Sequence, residues 1–475
     1  MRILVTIANH GVGRPEMVQR LIDEYKSLPH EVLIVLLSDR EKPTSPGVEV
    51  AVGAPTDNPY SLPFAHRGLF ARHKNDFDLF IYSEDDTLLT NANLQRWLEL
   101  NEKLPPHMVP GFIRHEEDPS GLRTYPSFHS GFHWQTETIT KHGDEVVAAY
   151  SNLHSALYAI DRPALDLALE SGNFDVAPHS GRYDMLVMAG AGPFINCGLD
   201  RVLPLSRLRE LSLHHLPNDY VGVLGIDDND LQRQIDACMD VYNGRRIAGQ
   251  LFPVATKLHE FTYDKMLYEQ ILEAIPMALV KSPRILSVGA GMGLLESHLS
   301  QDHEVVCIPV DAIAQAQLDH LGMATTPPDF ETAMTQLDNE HFDAIVLSNV
   351  LHHAPDPAQW LAALTPLASG GTIVASAPEK RSYQARALGQ TITGRLGLRG
   401  HKMSSLQPPP NAPYGQTHLH RSGGRWMRKL MKNSGITALE TTREQERPRI
   451  IDSRYRMSKL ARLMPSHVVV SGRVP

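Results

Sequence analysis

Apolar positions fall into two separate series along the chain. In the first, Arg2–Ala8 and Glu31–Leu37 are nearly unbroken hydrophobic runs, and Leu79–Tyr82 and Met108–Ile113 repeat the pattern. Between these runs, Met17, Leu21, Ile22 and Tyr25 recur at helical spacing, and Asn91–Leu104 also reads as a helix. The second series starts near Arg284. Ile285–Val288, Glu304–Pro309, Phe342–Leu347 and Gly371–Ser376 predict strands, His467–Gly472 predicts a last one, and Leu294–Leu299 predicts a helix. Continuous apolar runs that alternate with helices indicate parallel strands buried on both faces. The expected class is α/β, with one domain over residues 1–222, a helical connector over 223–264 and a second domain over 265–475.

Composition narrows the field. The chain has 475 residues, of which 42% are hydrophobic and 21% charged, an ordinary globular balance that excludes fibrous or wholly disordered classes. No apolar stretch approaches the ~18 residues of a membrane span. The opening run is too short for a signal-peptide core and reads as a strand. Cys197, Cys238 and Cys307 lie far apart, so neither a disulfide framework nor a Cys-based zinc site is expected, and a reducing cytoplasm fits. The net charge of −9 argues against nucleic acid as a partner. The charge is uneven, however: residues 380–475 carry a balance of +15 against −24 for the rest. Either the C-terminal part meets an anionic partner, or it faces the acidic part of its own chain. Part of that charge sits in a Gly-, Pro- and Arg-rich stretch over 383–416, read as an insertion or lid.

The segment from Ile285 to Gly293 reads strand, then Gly289, Gly291 and Gly293, then helix. Glycines there let the backbone approach a ligand, and the helix start offers free N–H groups. Asn349, His352, His353 and Asp356-Pro357 follow the later strand, and a block around His418, His420, Met427–Met431 and Gly435 comes near the end. The arrangement resembles class I S-adenosylmethionine-dependent methyltransferases, over about residues 265–475. The resemblance implies a doubly wound sheet and S-adenosylmethionine as cofactor, with Gly289, Gly291, Gly293, Asp311, Asp329, Phe330 and Asn349 around it. Two positions depart from the family. Ser287 stands where an acid precedes the first glycine, and Pro309 stands where an acid ends the second strand, so Asp311 takes the ribose only if that strand end is shifted. A hydroxyl acceptor has to lose a proton, and His352, His353, His418 and His420 are candidate bases. The bland alternative for each is a structural histidine.

Ser83-Glu84-Asp85-Asp86-Thr87 follows an apolar strand. Such clusters are often solvated surface, but open α/β sheets bind ligands at the C-terminal ends of their strands. Oxygen ligands there suit Mn²⁺ or Mg²⁺. The context resembles glycosyltransferases of the GT-A fold over about residues 1–222. That implies a nucleotide-sugar donor, a divalent metal held by Glu84, Asp85 and Asp86, and a further ligand from His215. Asn9-His10-Gly11 would meet the nucleotide base, the aromatic stretch Phe128–Trp134 could stack on an acceptor sugar, and Asp184 is a candidate base.

Together the two Rossmann-like halves suggest a bifunctional enzyme that transfers a sugar to a glycan or lipid-linked glycan and methylates a sugar hydroxyl, in cell-surface polysaccharide assembly. The expected location is the cytoplasm, with possible peripheral contact at an anionic membrane face. The alternatives are that the methyltransferase-like half is a non-catalytic binding module, or that it alone is active.

Overall fold

The computed structural model describes residues 1–129, 132–252, 265–275, 283–378, 423–443 and 467–475. The chain forms two compact units, Met1–Asn243 and Gly244–Pro475.

In the first unit, five strands lie in the order Val48–Val52, Glu31–Ser38, Arg2–Ala8, Leu79–Glu84, Leu157–Asp161. The first four are parallel and the last is antiparallel to its neighbour. Their centre is buried on both faces, as the unbroken apolar runs require. The helix Pro15–Ser27 starts with proline in its first turn, where the missing N–H costs nothing, and it buries Val18, Leu21, Ile22 and Tyr25. Register decides what meets at the strand ends. Ala8 pairs with Glu84, so the loop from Asn9 runs beside Asp85.

Two further sheets complete the unit. One orders Met108–Pro110, Asp200–Pro204, Glu145–Tyr150 and Trp134–His142; the other orders Ile226–Asp227, Arg123–Tyr125, Ile113–Glu117, Ser212–His215 and Thr87–Leu88. The predicted strand over 108–113 is thus two strands in different sheets. The helix Asp228–Tyr242, expected in a connector, is part of this unit. Its Gln234 accepts from the Trp134 indole at 3.0 Å, and Asp228 accepts from the Tyr125 hydroxyl at 2.8 Å and from Arg209 at 2.9 Å. Phe128 and Trp134 are fully buried, and both pack against Tyr150. They are core, which corrects the expectation of an acceptor platform.

The second unit has seven strands, ordered Ala324–Thr325, Glu304–Pro309, Arg284–Ala290, Ala344–Leu347, Thr372–Pro378, His467–Arg473, Thr437–Arg443. The first five are parallel, and His467–Arg473 runs antiparallel to both neighbours. This is the expected open α/β sheet. Among the described residues, no helix is long and apolar enough to cross a membrane.

Candidate functional sites

In the first unit the acidic turn lies at the C-terminal edge of the parallel sheet. Its three carboxylates have different partners. Asp85 accepts from the Asn9 amide, and Lys42 Nζ holds the Asn9 carbonyl at 2.8 Å. Asp86 accepts from Arg14 at 2.8 Å and lies 3.6 Å from His215 Nε2. Arg14 reaches it because it stands in the left-handed region just before its helix, at φ 58°.

His215 arrives by register: it pairs with Thr87, and the neighbouring His214 pairs with Leu88 and with His115. On the far side of the His215 ring, Nδ1 lies 2.5 Å from Glu116. Glu116 is fully buried, and its second oxygen accepts the Tyr220 N–H at 2.7 Å. The Tyr220 ring stacks on His215, with 5.7 Å between centroids. His214 instead stacks on His115 and meets Asn218 at 3.1 Å.

These contacts set the charges. Burial alone would push the His215 pKa down, but its bonds to Asp86 and Glu116 outweigh burial and raise it. Burial would raise Asp86, but the His215 bond and the charges of His215, Arg14 and Arg114 hold it below the usual carboxylate value. Glu84, with burial and the Asp86 charge against it, is pushed up to about 7. Burial is also the main cause that raises Asp85.

The divalent metal expected here does not fit this arrangement. Among the described residues, no group of three or more His, Cys, Asp or Glu side chains is placed to hold a metal ion. The reason lies in the partners: Asp85 turns to Asn9, Asp86 to Arg14, and His215 to Glu116. Asp184, the candidate base, is exposed and caps the helix Met185–Ala191 by accepting the Val187 N–H at 3.0 Å. The sequence pattern gave no sign of Arg14 or Glu116. Glu116 sits in a short polar strand and Arg14 in the loop just before a helix, and neither place has a periodicity that marks it.

In the second unit the glycine-rich turn ends Arg284–Ala290, the middle one of the five parallel strands. Gly289 and Gly293 adopt φ 78° and 81°, which L side chains rarely take. A Cβ on Gly289 would stand 2.5 Å from Val350. The turn, without side chains at its glycines, leaves room for the close approach of a nucleoside-bearing cofactor. Asn349 is left-handed at φ 57° and donates its N–H to Ser376 at 2.9 Å. Phe330 stacks face to face on Trp360, 4.1 Å between centroids.

The two acids expected at the cofactor each cap a helix through one carboxylate oxygen. The strand ends at Pro309, where its pairing with the glycine-turn strand slips by one residue, from Val288–Ile308 to Ala290–Pro309, and Asp311 is a buried helix cap that accepts the Ala314 N–H at 2.8 Å. Asp329 is likewise a cap, accepting from the Thr332 N–H at 2.8 Å and its hydroxyl at 2.6 Å. The acid missing at Ser287 is replaced in space by Glu296, a fully buried carboxyl that accepts from the Ser287 hydroxyl at 2.7 Å. His352 is buried, with its ring 3.9 Å from that of half-buried His353. His418 and His420 lie outside the described residues, as does most of the basic stretch over 380–475.

An open parallel sheet with a glycine turn after its middle strand defines a nucleotide-type α/β domain, and residues 262–441 match the family model of a methyltransferase domain. The second unit therefore carries a methyltransferase domain of the class I, S-adenosylmethionine-dependent kind. The match covers less than half of the chain.

Solved structures similar to this chain include a SAM-dependent methyltransferase from Archaeoglobus fulgidus (14% identity, 44% of this chain and 93% of that one, TM-score 0.31). Others are the N-methyltransferase NodS from Bradyrhizobium japonicum with S-adenosylhomocysteine (14%, 49% and 96%, TM-score 0.30) and the 1,6-didemethyltoxoflavin-N1-methyltransferase from Burkholderia thailandensis (16%, 50% and 85%, TM-score 0.30). No curated protein matches the sequence.

Proposed function

We propose that the chain is a bifunctional enzyme: the second unit methylates a sugar hydroxyl with S-adenosylmethionine, and the first transfers a sugar from a nucleotide-sugar to the same glycan, in cell-surface polysaccharide assembly. The observation that carries the methyl-transfer half is the glycine turn at the end of the middle strand, inside the matched segment. Gly289, Gly291, Gly293, Asn349 and Phe330 would hold the cofactor, which supplies an activated sulfonium methyl. Alignment of the acceptor does most of the catalytic work. His352, or half-buried His353 against which its ring packs, would take the acceptor's proton.

The sugar-transfer half is supported by the acidic turn at the C-terminal edge of the parallel sheet and by the cations around it. Arg14 contacts Asp86, and the charge of Arg114 acts on Glu84, Asp86 and His215. Such fixed cations would stabilise a leaving diphosphate. The basic balance over residues 380–475 supports an anionic, lipid-linked acceptor at a membrane face. Binding to anionic liposomes should then fall steeply between low and moderate salt.

Calorimetric titration with S-adenosylhomocysteine tests the cofactor: micromolar binding, lost in Gly291→Arg, is expected. A panel of nucleotide-sugars, scored for slow donor hydrolysis with metal and with chelator, tests the donor. A second reading, in which the second unit is a non-catalytic module, is favoured by Pro309 at the strand end and by Asp311 serving as a cap. Absence of cofactor binding would support it.

A further inference from the structure

Residues 250–252, ahead of the matched segment, run across the cofactor edge of the second unit. Leu251 donates its N–H to Val310 O at 2.8 Å, and Gln250 bridges Asp311. Both partners follow the strand Glu304–Pro309. One residue on, the Phe252 ring lies 5.6 Å from His353, which follows the strand Ala344–Leu347, and stacks on Trp360 at 6.0 Å. The strand between those two is Arg284–Ala290, which ends in the glycine turn. A segment tied to the first neighbour and packed on the second has to cross the turn. Val310 itself donates to Ala290 O at 2.9 Å, which fixes the anchor beside the turn.

The crossing is closely packed. Leu251 and Phe252 are buried in the same apolar cluster as Val310, Val350 and Leu351. The segment is pinned upstream as well: Arg246 pairs with Asp319 at 2.8 Å, and Gly249 runs so close to Pro328 that a Cβ would come within 3.3 Å of it.

We propose that Phe252 is a built-in occupant of the cofactor groove, a flat ring in the apolar space that a purine would take, so that the domain rests closed and the cofactor must displace residues 250–252. The inference rests on the cofactor reading above. A competent state that is only fractionally populated weakens apparent affinity by that fraction. Removing the occupant should therefore tighten binding.

The test is titration of the full chain with S-adenosylhomocysteine, for the natural sequence, Phe252→Ala, and Leu251→Pro, which deletes the N–H bonded to Val310. Both variants should bind at least ~5-fold more tightly. Exchange of the Leu251 amide, which its bond to Val310 should slow in the free protein, should speed up on saturation with the ligand, a readout that needs no variant. If the natural chain binds and the variants bind equally or more weakly, while the Leu251 amide stays protected with ligand, the segment is a wall of the groove and the proposal falls alone. If none of the three proteins binds, the cofactor reading falls and takes this proposal with it.

Discussion

The imidazole of His215 is held between two carboxylates, with Asp86 Oδ2 3.6 Å from Nε2 and Glu116 Oε1 2.5 Å from Nδ1. Glu116 is fully buried and also fixes the Tyr220 N–H. Truncating one member of such a buried set leaves the others uncompensated, at roughly 3–5 kcal/mol. Glu116→Ala should lower unfolding stability by about 3 kcal/mol in urea titrations. Glu116→Gln, which keeps an acceptor for Tyr220, should lose less than half of that.

Asp86 and His215 of this set were legible in the sequence, whereas Glu116 and Tyr220 were not, and the reason is physical. Arg2–Ala8, Glu31–Ser38 and Leu79–Glu84 were readable because strands buried on both faces are apolar throughout. The hairpin of Trp134–His142 and Glu145–Tyr150 was not. Its first strand is largely polar and half-exposed, so it reads as loop. The acidic turn was found because three carboxylates in a row stand out after an apolar strand. Glu116 and Arg14 were missed because only tertiary register brings them to it. In the second unit the glycines marked the turn, whereas the capping bond of Asp311 and the register slip beside it depend on tertiary pairing that no local pattern shows. Phe252 is a lone aromatic in a segment without a motif.

The His215 set should leave a signature in pH. Its folded pKa is raised above 6.5, despite burial, by the bonds to Asp86 and Glu116. Its contribution to stability is therefore complete below pH 6.5 and is lost as pH rises through the folded value. Asp86 is depressed below 3.8, so its contribution is complete above that value and is lost as pH falls through the folded one. The urea midpoint of the natural protein should decline on the alkaline side of 6.5, and His215→Gln should flatten that decline. An unchanged slope would place the decline elsewhere.

Asp86→Ala should abolish sugar transfer and leave S-adenosylhomocysteine binding intact, because the two sites lie in separate compact units. The loss should appear as a fall in donor turnover of at least ~100-fold, the order expected when the Arg14 cation facing the leaving diphosphate loses the carboxylate that holds it. Donor hydrolysis at the natural rate in this variant would take the acidic turn out of the mechanism.

Glu296 gives a pH effect confined to the second unit. Burial raises its pKa, and the Ser287 hydroxyl offsets this only in part. A raised carboxyl favours the folded state below its unfolded value of 4.5, and that advantage disappears as pH rises through the folded value. Glu296→Gln keeps an acceptor for Ser287 and should make unfolding of this unit less sensitive to alkaline pH. Ser287→Asp, which restores the acid expected from the family, would put a second carboxyl against the first and should cost several kcal/mol.

Gly289 and Val350 should show strong coupling. At Gly289 the backbone is left-handed, at φ 78°, and a Cβ would stand 2.5 Å from a Val350 methyl. Gly289→Ala therefore meets two separate penalties: about 1–2 kcal/mol for the backbone conformation and about 1–3 kcal/mol for overpacking against Val350. Val350→Ala, at a position that is 2% exposed, removes packing and should cost about 2 kcal/mol by itself. In the double variant the methyl that Gly289→Ala strikes is gone, while the backbone strain remains. The combined loss should thus fall short of the sum of the single losses by about 1–2 kcal/mol, well above the few tenths seen for independent sites. Urea unfolding of the four proteins measures this directly. Strict additivity would mean that the loop bearing Val350 moves away at no cost, and that the close approach at the glycine turn is not a constraint on this unit.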